Sequence, residues 1–270
     1  MKNQIFIAIA FVMLLVRASY SMAGDHISGD ELRAALKSKN PKVRTRAAEK
    51  LKDYDLGNDP AMITAVLQAL KDDDEDVRRL AADSLSKLKR TKHAKSVVPA
   101  LTKVASNDEN SKVRERALNT LACFEGDAKE AIPALVESLS AKNPQYRERA
   151  LGVLFQIDPT DKACIQSFLK FAKDSDVDVR GTALNGLYFA VRNGADKKVI
   201  VPVIAGALKD KVPGIRASAA RSLGFLGTAS VKFIPVLQGM AKGDENEFTR
   251  KDASEAVRLI RKAMEEQTTQ

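Results

Sequence analysis

Asp72-Asp-Asp-Glu-Asp-Val-Arg-Arg-Leu-Ala-Ala-Asp-Ser-Leu85 and Asp174-Ser-Asp-Val-Asp-Val-Arg-Gly-Thr-Ala-Leu-Asn-Gly-Leu187 share one spacing of acid, valine, arginine, alanine and leucine. The arginine is the anchor. Its position is held by Arg44, Arg78, Arg114, Arg147, Arg180, Arg216 and Arg250, at intervals of 34, 36, 33, 33, 36 and 34 residues. The residue before each is Val43, Val77, Val113, Tyr146, Val179, Ile215 or Thr249. The third residue after is always alanine: Ala47, Ala81, Ala117, Ala150, Ala183, Ala219 and Ala253. The seventh is Leu51, Leu85, Leu121, Leu154, Leu187, Leu223 or Val257, and the tenth is Tyr54, Leu88, Phe124, Ile157, Ala190, Leu226 or Ile260. Offsets −1, +3, +7 and +10 fall on one stripe of a helix with 3.6 residues per turn. A fixed period of this size marks a repeat architecture. We call this helix B.

Upstream of each B helix lies a second apolar segment, helix A, seen in Ala131-Ile-Pro-Ala-Leu-Val-Glu-Ser-Leu139 and Val201-Pro-Val-Ile-Ala-Gly-Ala-Leu208. Pro99, Pro133, Pro202 and Pro235 stand 14 or 15 residues before their arginines. The first turn of helix A is their expected place, because an N–H missing there has no partner to lose. Between A and B runs a polar turn. Six residues before the arginine stands Asp72, Asp108, Asp174, Asp210 or Asp244, with Ser38 in copy one and Ala141 in copy four. Four before it stands Asn40, Asp74, Asn110, Asn143, Asp176 or Asn246. Short polar side chains at these places satisfy helix ends and turn backbone.

Helix A, an Asp/Asn turn and Val-Arg-x-x-Ala opening helix B resemble the HEAT repeat, in particular its short PBS-lyase-like type. The resemblance covers residues 29–264 in seven copies. It implies an all-α, right-handed solenoid of antiparallel helix pairs, with the B helices lining a concave face. It also implies a ladder in which the turn aspartates Asp72, Asp108, Asp174, Asp210 and Asp244 meet Arg78, Arg114, Arg147, Arg180, Arg216 and Arg250. That ladder is expected to break at Ser38 and Ala141. Replacing Arg147 or Arg180 is then expected to lower stability.

The two ends read differently. Lys2 and the apolar run Ile5 to Val16 precede Ser21-Met22-Ala23, the pattern of an export signal cleaved before Gly24. Twelve apolar residues are short of the roughly 20 a spanning helix needs. The expected organisation is a signal peptide at 1–23, a mobile N-terminus at 24–28, the solenoid at 29–264 as one domain, and a polar tail at 265–270. The expected address is periplasmic or extracellular. Ser28-x-x-Glu31 is a capping-box match at the first helix. The formal charge of +9 falls to +7 without Lys2 and Arg17, a mixed balance that favours anionic surfaces without dictating fold. Cys123 and Cys164 fall about two repeat layers apart, too far for a disulfide. Two free thiols are expected.

Little in the chain points to catalysis. His26 and His93 are the only histidines. Neither has the neighbours that a metal hydrolase or a nucleophilic triad requires. Asp72-x-Asp74-x-Asp76 and Asp174-x-Asp176-x-Asp178 mimic the start of a calcium loop. Val77 and Val179 stand where the sixth-position glycine belongs, and the twelfth-position glutamate is missing. No cofactor, no metal and no nucleic acid are expected. Offsets +2, +5 and +9 point away from the buried stripe. In copies three to six they offer Arg116, Asn119, Arg149, Gln156, Asn185, Phe189, Arg221 and Phe225. Arginines and aromatics dominate binding hot spots, and amides can pair with a peptide backbone. The expected function is a non-catalytic binding or scaffolding module holding a protein or peptide in this groove. A HEAT-like lyase or oxidoreductase is the alternative. Lys87, Lys89, Arg90, Lys92 and Lys95 form a basic loop, a candidate contact for anionic polymer or lipid.

Overall fold

The computed structural model describes residues 27–268. The expected signal segment 1–23, Gly24, Asp25 and His26 lie outside the described residues. Fourteen α-helices and no strand are found among the described residues. The chain forms two compact units that divide after Asp127.

The first unit holds three helix pairs: α1 (Gly29–Leu36) with α2 (Pro41–Lys50), α3 (Pro60–Ala69) with α4 (Glu75–Ser84), and α5 (Ala94–Asn107) with α6 (Ser111–Ala122). The second holds four: α7 (Ile132–Ser138) with α8 (Pro144–Ile157), α9 (Lys162–Phe171) with α10 (Val177–Arg192), α11 (Lys197–Gly206) with α12 (Pro213–Phe225), and α13 (Ile234–Gly243) with α14 (Glu247–Thr268). Odd numbers are A helices and even numbers are B helices. Each A packs on its own B. Within the first unit α4 lies between α2 and α6, and within the second α8, α10, α12 and α14 follow one another as a layer. This is the α-solenoid architecture expected from the repeat.

The anchor register explains the core. Every residue at −1, +3 and +7 is buried, from Val43, Ala47 and Leu51 to Thr249, Ala253 and Val257. A fully buried leucine such as Leu85 contributes about 2–3 kcal/mol. The buried surface extends beyond the expected stripe. Offset +4 is also inside at Ala48, Ala82, Leu118, Leu151, Leu184 and Ala220, and +6 at Ser84, Thr120, Val153 and Gly186. A B helix is covered on one side by its A helix and on another by neighbouring B helices, so one stripe does not satisfy it. Thr120 shows the second contact directly, its Oγ1 donating to the Ala82 carbonyl at 3.0 Å between α6 and α4.

Helix ends follow the polar turn. Asn40, Asp74, Asn110, Asn143 and Asp176 cap α2, α4, α6, α8 and α10 by accepting backbone N–H bonds. Asn246 accepts from Thr249 N–H at 3.1 Å. In copy six Val212 leaves α12 without a side-chain cap, and Pro213 starts the helix instead. The Ser28–Glu31 capping box is formed.

Pro133 and Pro235 occupy the first turns of α7 and α13. Pro99 and Pro202 do not: α5 begins at Ala94 and α11 at Lys197, which places both prolines inside their helices. Both are exposed. The carbonyls they leave unbonded, four residues back at Lys95 and Lys198, belong to exposed residues at the open helix start. Helix α14 runs to Thr268, so residues 265–268 of the expected tail continue a helix, and the rest of it lies outside the described residues.

Candidate functional site

The anchor arginines organise the A–B turns. Each guanidinium reaches back with Nη1 to two carbonyls of its own turn, from Arg44 to Ser38 and Lys39 through to Arg250 to Asp244 and Glu245. With Nε and Nη2 five of them clamp the aspartate of the following copy: Arg44 with Asp72, Arg78 with Asp108, Arg147 with Asp174, Arg180 with Asp210 and Arg216 with Asp244. Donor–acceptor distances run from 2.7 Å at Arg44 to 3.2 Å at Arg147. The ladder therefore runs forward, from one copy's arginine to the next copy's turn, and it begins at Arg44. Ser38 breaks nothing, because it opens the array. Its Oγ accepts the Asn40 N–H, as the turn aspartates do in later copies. Arg114 keeps its bonds to the Asp108 and Glu109 carbonyls, and Ala141 offers no carboxylate to a ladder. Arg250, in the last copy, keeps the backbone arm.

Electrostatics agree with a structural role. Burial pushes the Asp174 and Asp210 carboxyls up, but bonds from Arg147 or Arg180 and from the turn N–H groups more than reverse this, and both end below the usual carboxylate range. Asp244 is lowered first by Arg216. Five of the six acids of the two calcium-like runs are committed elsewhere. Asp72 and Asp174 are rungs, Asp74 and Asp176 are N-caps, and Asp76 pairs with Arg79 at 2.8 Å. A cluster at the first copy carries no periodic signal. Arg33 and the Tyr54 hydroxyl both donate to Asp59 Oδ2, at 2.6 and 2.7 Å, while Asp59 caps α3.

The candidate binding residues lie on B-helix faces in both units. In the first unit a hollow of about 470 Å³ opens between α4 and α6, with Arg79, Asn110, Arg116 and Asn119 in its lining. Arg116 reaches Asp83 of α4 at 3.1 Å. In the second unit a hollow of about 500 Å³ spans α8, α10 and α12, lined by Glu148, Asp178, Thr182, Asn185 and Ile215 among others. Phe189 stacks on Phe155 of α8 at 4.7 Å between ring centroids and remains 39% exposed. Phe225 stands further out, 58% exposed at the end of α12. Arg221 lies 3.6 Å from Asp252 of α14. Arg149 is half-buried, while Gln156 and Asn185 are exposed. In each unit an ion pair joins neighbouring B helices; the first unit's face offers arginine and amide groups, and the second unit's adds aromatics. Phe248, 74% exposed at the start of α14, stands on the same outward side, since offset −2 falls between +5 and +9 around the helix, but the face was read only after the arginine and only in copies three to six.

The basic loop is less free than its composition suggests. Lys87 Nζ donates to the Tyr54 carbonyl at 2.9 Å, and Arg90 pairs with Glu125 at 3.1 Å. Lys89, Lys92 and Lys95 are exposed. Cys123 and Cys164 are both free thiols. His93 sits at the start of α5 with its Nε2 buried.

Stacked A–B pairs with a forward Arg–Asp ladder define an α-solenoid repeat protein. The family model for HEAT repeats matches residues 29–122, 98–184 and 165–258, and this chain belongs to that family. No curated protein sequence matches the chain. Among solved structures it is similar to the archaeal HEAT-like repeats protein from Thermococcus onnurineus NA1, at 18% identity and a TM-score of 0.60 over 89% of this chain and 99% of that one. It is also similar to the complex of CpcE and CpcF of phycocyanin lyase from Nostoc sp. PCC7120, at 22% identity and a TM-score of 0.51 over 90% and 97%. Importin beta matches at 15% identity and a TM-score of 0.62, over 86% of this chain and 37% of that one. These likenesses show the fold.

Proposed function

We propose that this chain is a non-catalytic scaffold in the periplasm or outside the cell, and that its B-helix faces hold a protein or peptide. The observation that carries this is the character of those faces. Asn185, one helical turn before Phe189, lines the hollow across α8, α10 and α12, and Phe189 and Phe225 remain exposed although the fold buries Phe124 and Phe168. Exposed aromatics beside arginine and amide groups suit a partner's apolar anchors and main chain. CpcE and CpcF occur as a complex of one protein with another, which is consistent with such use of the fold. The non-catalytic part rests on the chain's two isolated histidines, which lack the neighbours of a triad or metal site, and on its two separate cysteines. Cys164 is buried and its thiol is pushed up to about 12 by that burial, far from a reactive thiolate.

The test is copurification from the envelope fraction of the native host, with wild type compared with Phe189→Ala, Arg221→Ala and Phe225→Ala combined. A stoichiometric protein retained by wild type and lost by the variant supports the reading. A partner retained equally by both places binding elsewhere and refutes it.

A further inference from the structure

The A helices of the second unit carry a charge asymmetry that the repeat motif does not require. No aspartate or glutamate occurs in residues 162–173, 197–209 or 227–243, the stretches that contain α9, α11 and α13. Lys162, Lys170, Lys197, Lys198, Lys232 and Lys242 lie in them, and all six are exposed. The acids bordering these stretches are already engaged. Asp158 pairs with Lys129 at 2.8 Å, Asp161 and Asp196 cap α9 and α11, and Asp174, Asp210 and Asp244 are rungs of the ladder. The B-helix faces differ, since they mix both signs, as with Arg221 and Asp252.

Apolar groups share this surface. Val199 of α11 is 55% exposed and Val236 of α13 is 44% exposed. Exposed residues recur at 198, 199, 202 and 206 on α11 and at 235, 236, 239 and 242 on α13, spacings that place each set on one side of its helix. Helix α11 touches the segment Gly227–Phe233 that leads into α13, and Lys232 lies in that segment. Lys170 and Lys232 lie over the Phe171 and Phe233 rings at 5.2 and 5.1 Å.

We propose that this A-helix face docks on an anionic phospholipid surface, with the lysines against headgroup phosphates and Val199 and Val236 entering the interface. Lysine stems lie along apolar surface while their ammonium groups stay with polar ones. Attraction to an anionic leaflet acts within about a Debye length, roughly 8 Å at physiological salt. A soluble polyanion would use the lysines and gain nothing from the valines, and the valines are what favour a bilayer. The B-helix side would remain open to a protein partner.

Flotation of the full chain with vesicles tests this. Vesicles of phosphatidylcholine with about one-third phosphatidylglycerol are compared with pure phosphatidylcholine. The difference between the two is read, so that the apolar residues 5–16 contribute equally to both. Wild type should float preferentially with the anionic vesicles and less so in high salt. Replacing the six lysines together by serine should weaken the partition at least about tenfold, while six arginines should preserve it. V199N with V236N should weaken it several-fold yet leave retention on a polyphosphate column unchanged. The proposal is overturned if the six-serine variant, with a wild-type circular dichroism spectrum, floats as wild type does. It is equally overturned if V199N with V236N leaves flotation intact, which would identify a site for soluble polyanions.

Discussion

Replacing Arg180 by methionine keeps an aliphatic stem of similar reach and removes the guanidinium that joins two turns. Arg180 is 6% exposed. Its Nε and Nη2 donate to Asp210 at 2.9 and 3.0 Å, and its Nη1 donates to the Asp174 and Ser175 carbonyls at 2.9 and 3.0 Å. Without it the part-buried Asp210 carboxylate keeps the Val212 N–H at 2.9 Å. Breaking a buried pair from one side costs about 3–5 kcal/mol, and some solvent access at Asp210 places the expectation near the lower end. Arg250 is the internal control. It makes the same two carbonyl bonds, at 2.8 and 3.2 Å, and no turn aspartate follows it among the described residues. Arg250→Met should cost only about 1 kcal/mol. Urea unfolding followed by circular dichroism should therefore separate the two variants by roughly 2 kcal/mol at neutral pH. The Asp210 carboxyl sits below its ordinary range in the fold. Its share of the stability is present above the unfolded-state value and is lost as pH falls through the folded one, so the gap should close in acid. Equal losses from Arg180→Met and Arg250→Met at neutral pH would refute the carboxylate rung as a stabilising contact.

Asp158 is held at about 2, first by Lys129 and then by Thr160, against an ordinary 3.8. This depressed carboxyl should contribute up to about 2 kcal/mol above pH 4 that disappears as pH falls toward 2, and Asp158→Asn should flatten that part of the urea midpoint against pH. Gly186→Ala would set a Cβ 2.7 Å from the Phe168 ring and should lower stability by about 1–3 kcal/mol despite alanine's better helix propensity. Gly152→Ala meets nothing within 4 Å and should stabilise by about 0.5–1 kcal/mol, so melting temperatures should move in opposite directions. A thiol reagent should label half-buried Cys123 in the native protein and reach buried Cys164 only on unfolding; native labelling of Cys164 would contradict its placement.

The fold was legible because the repeat states its buried stripe seven times, and one arginine register aligns every copy. Ladder direction was not legible. A guanidinium on helix B is equally far in sequence from its own turn in every copy, and only stacking decides that Nε and Nη2 face the next turn while Nη1 faces back. Pro99 and Pro202 misled because proline position was read as helix start, whereas an exposed sixth position also tolerates the missing donor. The face opposite the stripe was identified by angle alone, and angle does not show depth. Phe189 and Phe225 share an offset, yet Phe189 leans on Phe155 of the preceding copy while Phe225 projects. The lysine face of the A helices escaped the reading because the register followed the buried stripe of helix B, although Lys162, Lys198 and Lys232 share one offset before their arginines.

The central claim is that the B-helix side is a protein-binding surface, and site-specific photocrosslinking in the native host tests it most directly. A photoreactive residue at Phe225 is compared with one at Gln166, an exposed position on A helix α9. A discrete protein adduct is expected from position 225, and none of the same mass from position 166. Absence of a protein adduct at 225, and equally at Asn185 and Phe189, would contradict it.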